Sequence, residues 1–519
     1  MQEYQYNTFY DFLVENTKRY PNKKIIYTEN GNLKNKELLE KVDKLANFLS
    51  TTGIKTGDKV AMVMYNSDLF AISLFAITKI GAIAVPINNF LKNEELTYIL
   101  NNCEAKLLIT SNEFKKELGD VLDSTNIENV IWVEEEEQKE NNFHLGTILS
   151  ANYEKNVEKF DSNLDDTAII IYTSGTTGHP RGAMLTYKNI ISNATVAYKK
   201  MKVSNKDRFI VFLPMFHSFT LTVMVCAPII YNCSIVIVKS IFPFANVLKQ
   251  VLLKRVTIFL GAPQIYNALN KAKIPWYFMW FNSIRIFVSG AAPLSEQVFL
   301  DFKKKFKKAT MIEGYGLSEC SPAVSANPLN KQKILSVGTP FEGYEVKIVD
   351  DELIEVSQGE VGELVVKGDC VMKGYFNNEE ATDNTIVNGW LKTGDLAKLD
   401  NEGYIYIVDR KKDLIISKGM NIYPREIEEE IMKIDSIDAT AVVGIEDVTK
   451  DEKIVAFVQL KEDVNEPPSP ATIKTHLKEH LANFKIPKDI YFIDELPKNA
   501  ANKVLKRKLK EDIKLYTKK

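Results

Sequence analysis

Residues 172–184 read Tyr-Thr-Ser-Gly-Thr-Thr-Gly-His-Pro-Arg-Gly-Ala-Met, directly after the apolar run Thr167-Ala168-Ile169-Ile170-Ile171. An apolar, β-branched run followed by three glycines and four Ser/Thr hydroxyls predicts a buried strand opening into a loop. So many small residues with N–H and O–H donors suit a loop that wraps an anion, most often a phosphate. The Walker A pattern, G-x-x-x-x-G-K-[ST], fails here. Counted from Gly175 the second glycine falls on Pro180, and counted from Gly178 it falls on Ala183.

Around this loop, short apolar runs alternate with helix-like stretches from residue 23 to about 340. KVAMVM (59–64), AIAVPI (82–87), AKLLIT (105–110), FIVFLP (209–214), SIVIVK (234–239) and IRIFVSG (284–290) are the clearest. Apolar runs of this length between amphipathic segments predict parallel sheets covered by helices. At 340–408 the texture becomes EVKIVD, GELVVKG and YIYIVD with turns close between, which predicts a β-rich subdomain. Beyond Asp409 a strongly charged stretch leads into a small α+β domain, so the boundary is placed between 1–408 and 409–519. The fold class is α/β: two helix-covered sheets plus the subdomain, then the small domain.

A chain of 519 residues exceeds one ordinary core, and its hydrophobic content of 45% fits a globular enzyme. A net charge of −2 gives no global pull toward nucleic acid or anionic surfaces. The five cysteines form no CxxC pair, which predicts free thiols in a reducing compartment. No apolar leader opens the sequence, and 69–87 is broken by Lys79, Gly81 and Pro86. It is expected to be a buried helix running into a strand in a cytoplasmic protein.

The phosphate-loop reading gains weight from the motifs that follow. They are SGAAPL (289–294), EGYGLSECSP (313–322), GWLKTGDLAKLDNEGYIYIVDRKKD (389–413), SKGMNIYPREIE (417–428) and LPKNAANKVLKRKL (496–509). Their order and spacing resemble the adenylate-forming superfamily of acyl-CoA synthetases, firefly luciferase and peptide-synthetase adenylation domains. The resemblance covers almost the whole chain and is strongest to bacterial medium- and long-chain fatty-acyl-CoA synthetases.

The resemblance implies a role for each matching residue. Thr173, Ser174, Gly175, Thr176, Thr177 and Gly178 would hold the β and γ phosphates of ATP, with Arg181 where the family usually has Lys. Gly290, Ala291 and Ala292 would lie against adenine and the acyl site. In Glu313-Gly314-Tyr315-Gly316, Tyr315 would stack on adenine. Ser318 would meet the α-phosphate, and Glu319 would be the Mg²⁺ ligand. Asp395 and Arg410, with Ile407 nearby, would hold the ribose. Lys412 falls on the family's hinge, about which the small domain moves, and Gly419 lines the thiol channel. Lys503 would join the carboxylate and α-phosphate oxygens, Asn502 replacing the family glycine before it.

For the acid, His217 and Phe219 align with the acyl-pocket gate, with Gly261, Ala262, Pro263 and Gly290 in the wall and Thr220 in place of a usual glycine. No Asp occurs in 214–222, which disfavours an amino acid, whose ammonium needs a partner. The expected reaction makes acyl-AMP from a fatty acid and Mg·ATP, then the CoA thioester. An aryl acid, an acyl carrier protein as acceptor, and an acyl-AMP-forming protein without the thioester step are the alternatives. A non-catalytic nucleotide-binding module is disfavoured by intact Glu319, Asp395, Arg410 and Lys503.

Partners are otherwise small molecules, with a homodimer left open. The apolar segment Pro275–Phe281 is expected to be a buried short helix, the other reading being a contact with a membrane surface or acyl carrier. His476 and His480 have i,i+4 spacing but no accompanying metal motif, and are read as a solvated helix face.

Overall fold

The computed structural model describes residues 6–29, 31–134, 142–153, 157–173, 179–417, 420–446, 452–461, 464, 466–498 and 504–516. The chain divides into two compact units, Met1–Val346 with Val366–Leu391, and Lys347–Val365 with Lys392–Lys519.

Two large sheets build the first unit. One runs in spatial order Thr339–Pro340, Ala323–Ala326, Thr310–Gly316, Ile286–Ser289, Ile258–Gly261, Arg208–Val211, Ser234–Ile237, Lys24–Tyr27 and Asn32–Lys34. Its six central strands pair parallel, and antiparallel strands close both edges. The other runs Gly374–Tyr375, Arg181–Thr186, Thr167–Thr173, Ile83–Pro86, Lys59–Val63, Ala105–Thr110, Asn129–Trp132 and Asn142–His144. The apolar runs of the sequence are these strands. They are buried on both faces because helices cover both, as parallel sheets require.

The stretch at 69–87 is a helix, Asp68–Lys79, followed by the strand Ile83–Pro86. Ser67 caps the helix by accepting from the Phe70 amide at 3.2 Å, and its last ten residues are buried. Among the described residues no helix is long and apolar enough to cross a membrane. Lys79 is itself buried, its ammonium 2.9 Å from Asp43 and 4.8 Å from the centre of the Tyr10 ring. Asp43→Ala would strand that charge, so it is expected to cost about 3 kcal/mol in urea unfolding, and Lys79→Met distinctly less. Equal losses from the two would show that the charge is not what matters.

The aromatic core beside the first sheet gathers Phe259, Tyr266, Phe287, Phe302 and Phe306, the last two stacked at 4.4 Å. Segment 275–281 does form a short helix, Trp276–Phe281, but not a buried one. Phe278 alone enters the core, while Trp276, Tyr277, Trp280 and Phe281 face solvent. One turn and a half of helix cannot turn every large ring inward.

The strands Trp390–Leu399 and Ile405–Arg410 form an antiparallel ladder from Asp395↔Arg410 to Leu399↔Ile405, all of whose paired residues belong to the second unit. The unit therefore takes in 347–365 and 392–408 together with everything after Asp409. Position 409 lies at the end of this ladder, beside its last pair Asp395↔Arg410. The C-terminal part is a three-stranded sheet, Ile437–Glu446, Glu452–Leu460 and Asp489–Phe492, packed on Pro424–Ile431 and Pro470–His480.

Candidate active site

Four parallel neighbours, Arg208–Val211, Ile258–Gly261, Ile286–Ser289 and Thr310–Gly316, are in register, with Gly261 opposite Ser289 and Ser289 opposite Glu313. Their carboxyl ends are therefore level, and this is where open α/β sheets bind ligands. Out of these ends run Pro214–Phe219, Gly261-Ala262-Pro263, Ser289–Ala292 and Glu313–Glu319. Motifs up to a hundred residues apart thus meet on one edge.

The contacts there are direct. The Gly290 amide donates to the Gly261 carbonyl at 3.3 Å, and a Cβ at Gly290 would stand 3.5 Å from the Phe219 ring. Ser218 and Ser318 share a hydrogen bond of 2.9 Å, and the Leu294 amide donates to Glu313 at 3.1 Å. Ala291 and Ser321 hold φ of +68° and +67°, conformations that side-chain-bearing residues adopt at a cost. Gly316 has no alternative, since a Cβ would come within 2.1 Å of the Pro322 carbonyl.

His217 is half-buried, and burial lowers its pKa, which favours a neutral imidazole. Behind Phe219 a seven-residue π-helix, Thr220–Cys226, is wholly buried, a rare geometry that recurs at functional sites. Thr220 is thus buried at the start of this helix, and Thr222 carries a buried hydroxyl oxygen with no hydrogen-bond partner.

Glu319 is the meeting point of the two sheets. It lies in the one-turn 3₁₀ helix Ser318–Cys320 and accepts from the Thr173 hydroxyl at 3.2 Å and the Tyr375 phenol at 3.0 Å. Burial, and then the Glu319 charge, raise the Tyr375 pKa, so the phenol stays a donor. The Arg181 guanidinium lies 5.6 Å from the centre of the Tyr375 ring. The loop Ser174–Gly178 lies outside the described residues. Thr173 and Arg181, on either side of it, pair across the sheet, and Thr173 is the residue that reaches Glu319.

Three of these partners escape a reading by motif. Tyr375 is 56 residues from Glu319, and nothing local in Gly374-Tyr375-Phe376 announces it. Ser218 is inside the quoted gate segment, yet its tie to Ser318 spans 100 residues. Asn193, fully buried, donates to the Cys320 and Ala323 carbonyls at 3.2 and 2.6 Å and holds the 318–323 turn. A polar residue in the apolar face of Tyr187–Lys200 is its only trace in the sequence.

In the second unit, Asp395 and Arg410 face each other across the ladder, Nε to Oδ1 at 3.2 Å, with Asp395 almost wholly buried. Thr393 accepts from the Asp395 amide at 3.1 Å. Asp409, whose pKa burial raises, accepts from the Arg425 amide at 2.8 Å, and the Arg425 side chain donates to the Ile407 carbonyl. Lys412 is exposed in the 3₁₀ turn Lys411–Asp413, whereas Lys411 is tied to Glu363 and Asp351 at 2.8 and 2.7 Å.

Gly419 and Lys503 lie outside the described residues. The ends of the segment carrying Lys503 are nonetheless fixed by the bridge Lys498↔Val504 and by the Leu505 amide on the Pro497 carbonyl. Lys506, just beyond, pairs with Glu428 at 2.8 Å. His476 and His480 are not simply solvated, for His476 Nε2 lies 3.1 Å from the Glu430 carbonyl. Potential ligand atoms of the two histidines and Glu430 lie within 4.8 Å of one another. The Lys433 ammonium, 2.6 Å from that carboxylate, works against a cation there.

This chain belongs to the AMP-binding enzyme family. The family's model matches residues 13–376, and the model of its C-terminal domain matches 426–503. A long-chain-fatty-acid–CoA ligase of Escherichia coli O157:H7 is 31% identical, over 98% of this chain and 95% of that protein. A feruloyl-CoA synthase of an Amycolatopsis species is 33% identical, over 91% and 92%. Among solved structures, an anthranilate CoA ligase in complex with anthranoyl-AMP superposes with a TM-score of 0.91, at 27% identity and 100% coverage of both chains.

Proposed function

We propose that the protein is an AMP-forming acyl-CoA ligase acting on medium- or long-chain fatty acids. The observation that carries the reading is the junction at Glu319, where the strand leading into the Gly/Thr loop meets the EGYGLSEC turn at the carboxyl ends of the sheet. The near-full-length likeness to a long-chain-fatty-acid–CoA ligase supports the fatty acid. So does a gate segment, 214–222, with no carboxylate to hold an ammonium.

In the first half-reaction a carboxylate oxygen of the acid attacks the α-phosphorus of ATP. The P–O bond to the β-phosphate breaks, and pyrophosphate leaves with the electron pair. Residues 173–178 hold the departing phosphates, and Tyr315 and Ala291 flank the adenine. Asp395 and Arg410 bind the ribose hydroxyls. Lys503 bridges the acid and α-phosphate oxygens while charge builds there, which is positioning and electrostatic work. The Glu319 carboxylate, with the Thr173 hydroxyl beside it, offers the oxygen donors that Mg²⁺ prefers. Mg²⁺ bound there would neutralise phosphate charge.

In the second half-reaction the sulfur of CoA attacks the acyl carbonyl and the C–O bond to AMP breaks, giving the thioester. Lys412 serves as the hinge between the two steps and Gly419 lines the thiol path.

The test is AMP release with Mg·ATP and CoA across acids from butyrate to stearate, with coumarate and benzoate. A maximum at octanoate or longer is expected. A maximum on the aryl acids, which the feruloyl-CoA synthase relative makes the second reading, would overturn the fatty-acid assignment. Acyl-AMP with no thioester would overturn CoA as acceptor.

A further inference from the structure

The short helix Trp276–Phe281 is fastened to the core by Phe278, with Ile274 and Met279 packed partly against it. Everything else on it faces outward. Trp276, Trp280 and Phe281 are 71%, 71% and 70% exposed, and Tyr277 is about half exposed. The neighbouring helix Phe244–Leu253, which packs on it, adds exposed Leu253, and exposed Phe242 lies just ahead of it. Scattered exposed apolar residues are ordinary, but four large rings on six residues are a patch.

The stretch of chain that carries this patch is predominantly basic, its acidic residues being Glu296 and Asp301, the latter 3.6 Å from the Lys304 ammonium. Residues 241–308 contain eleven Lys and Arg against two acidic residues, a net of +9 in a chain whose total is −2, so the remainder carries −11. Lys249, Arg255, Lys271, Lys273, Lys303, Lys304, Lys307 and Lys308 are all exposed. Lys308 lies 5.8 Å from the centre of the Trp280 ring and donates to the Trp280 carbonyl at 3.4 Å, which ties the basic end of Glu296–Lys305 to the rings.

We propose that this face docks the enzyme on the surface of an anionic lipid bilayer. Trp and Tyr settle at the level of the lipid headgroups, with an apolar ring body inward and a polar edge in water. Exposed lysines around them meet the negative surface, and each contributes about fivefold in affinity. A six-residue helix cannot span, so the contact is peripheral and reversible. The local +9 supplies what the net charge of the whole chain hides. The site stands whichever acid the enzyme activates, because no residue of the proposed catalytic set takes part.

The experiment is flotation of the full chain with phosphatidylcholine vesicles, with and without about one third phosphatidylglycerol, in the absence of ATP and acid. Binding to the anionic vesicles alone is expected, with a blue shift of tryptophan emission, since two of the chain's four tryptophans are on the face. Trp276→Ser with Trp280→Ser should weaken binding about tenfold or more. Lys271→Gln, Lys273→Gln and Lys307→Gln together should weaken it about a hundredfold, less at high salt. Both variants should keep the parent's circular dichroism and its rate of AMP formation on a short soluble acid.

Failure of the parent to float, or binding indifferent to both sets of substitutions, would overturn the proposal. So would a dimer in gel filtration that the tryptophan variant abolishes, for the rings would then be covered by a second copy. Capture of an acidic acyl carrier protein in place of vesicles would likewise assign the face to another partner.

Discussion

Glu319→Gln is expected to lower acid-dependent ATP–pyrophosphate exchange about 10³-fold while leaving the melting temperature close to that of the parent. The two effects separate because Gln keeps the shape and one acceptor oxygen. The Thr173 hydroxyl and Tyr375 phenol, 3.2 and 3.0 Å from Oε1, retain a partner, so the junction of the two sheets survives. What is lost is the negative charge beside the phosphates and its value to a divalent cation. Tyr375→Phe is the companion. It removes one hydrogen bond that orients the carboxylate and keeps the charge, so about a tenfold loss is expected, the size found when support behind a metal ligand is cut. A Glu319→Gln enzyme within tenfold of the parent would show that the carboxylate only braces the fold.

Lys503→Ala is expected to slow the same exchange by about 10²- to 10³-fold and to leave thioester formation from supplied acyl-AMP within a few-fold. The proposed role exists only while charge accumulates between the acid and the α-phosphate, so it has nothing to do in the thiol step. Stopped assays of the two half-reactions on one preparation make the comparison. The local anchors predict that the variant folds. The segment is closed by Lys498↔Val504 and by Leu505 on Pro497, and Lys506 is held by Glu428, whatever side chain sits at 503. Equal loss in both steps would point to a structural part for Lys503.

Much of the first unit was legible because period and punctuation agree. Runs such as KVAMVM and AKLLIT carry β-branched and apolar residues over strand length, and the Lys59–Val63 and Ala105–Thr110 strands fall on them. The motifs at 289–294 and 313–322 were legible for another reason. Close backbone approach at Gly316 permits only glycine, so the chemistry is written locally.

What the sequence concealed is of two kinds. Tyr375, Ser218 and Asn193 act across 56 to 130 residues, and no local pattern encodes a contact at that separation. Trp276–Phe281 failed in the opposite way. Composition says core, but a helix shorter than two turns has one face to bury, and Phe278 takes it. The change of texture near 409 falls at the end of a hairpin, whereas 347–365 and 392–408, which group with the residues beyond it, carry no local sign of that association.

All five cysteines are buried and free of disulfides, and burial pushes the thiols of Cys103 and Cys233 up to about 12. Thiolates are the species that react with alkylating reagents, and a buried sulfur is also out of a reagent's reach, so in the folded chain the native cysteines are slow to label. The protein therefore offers a blank background for chemistry. One new surface cysteine in each unit becomes a unique handle, and a dye pair on the two can follow their separation through both half-reactions without dismantling the core.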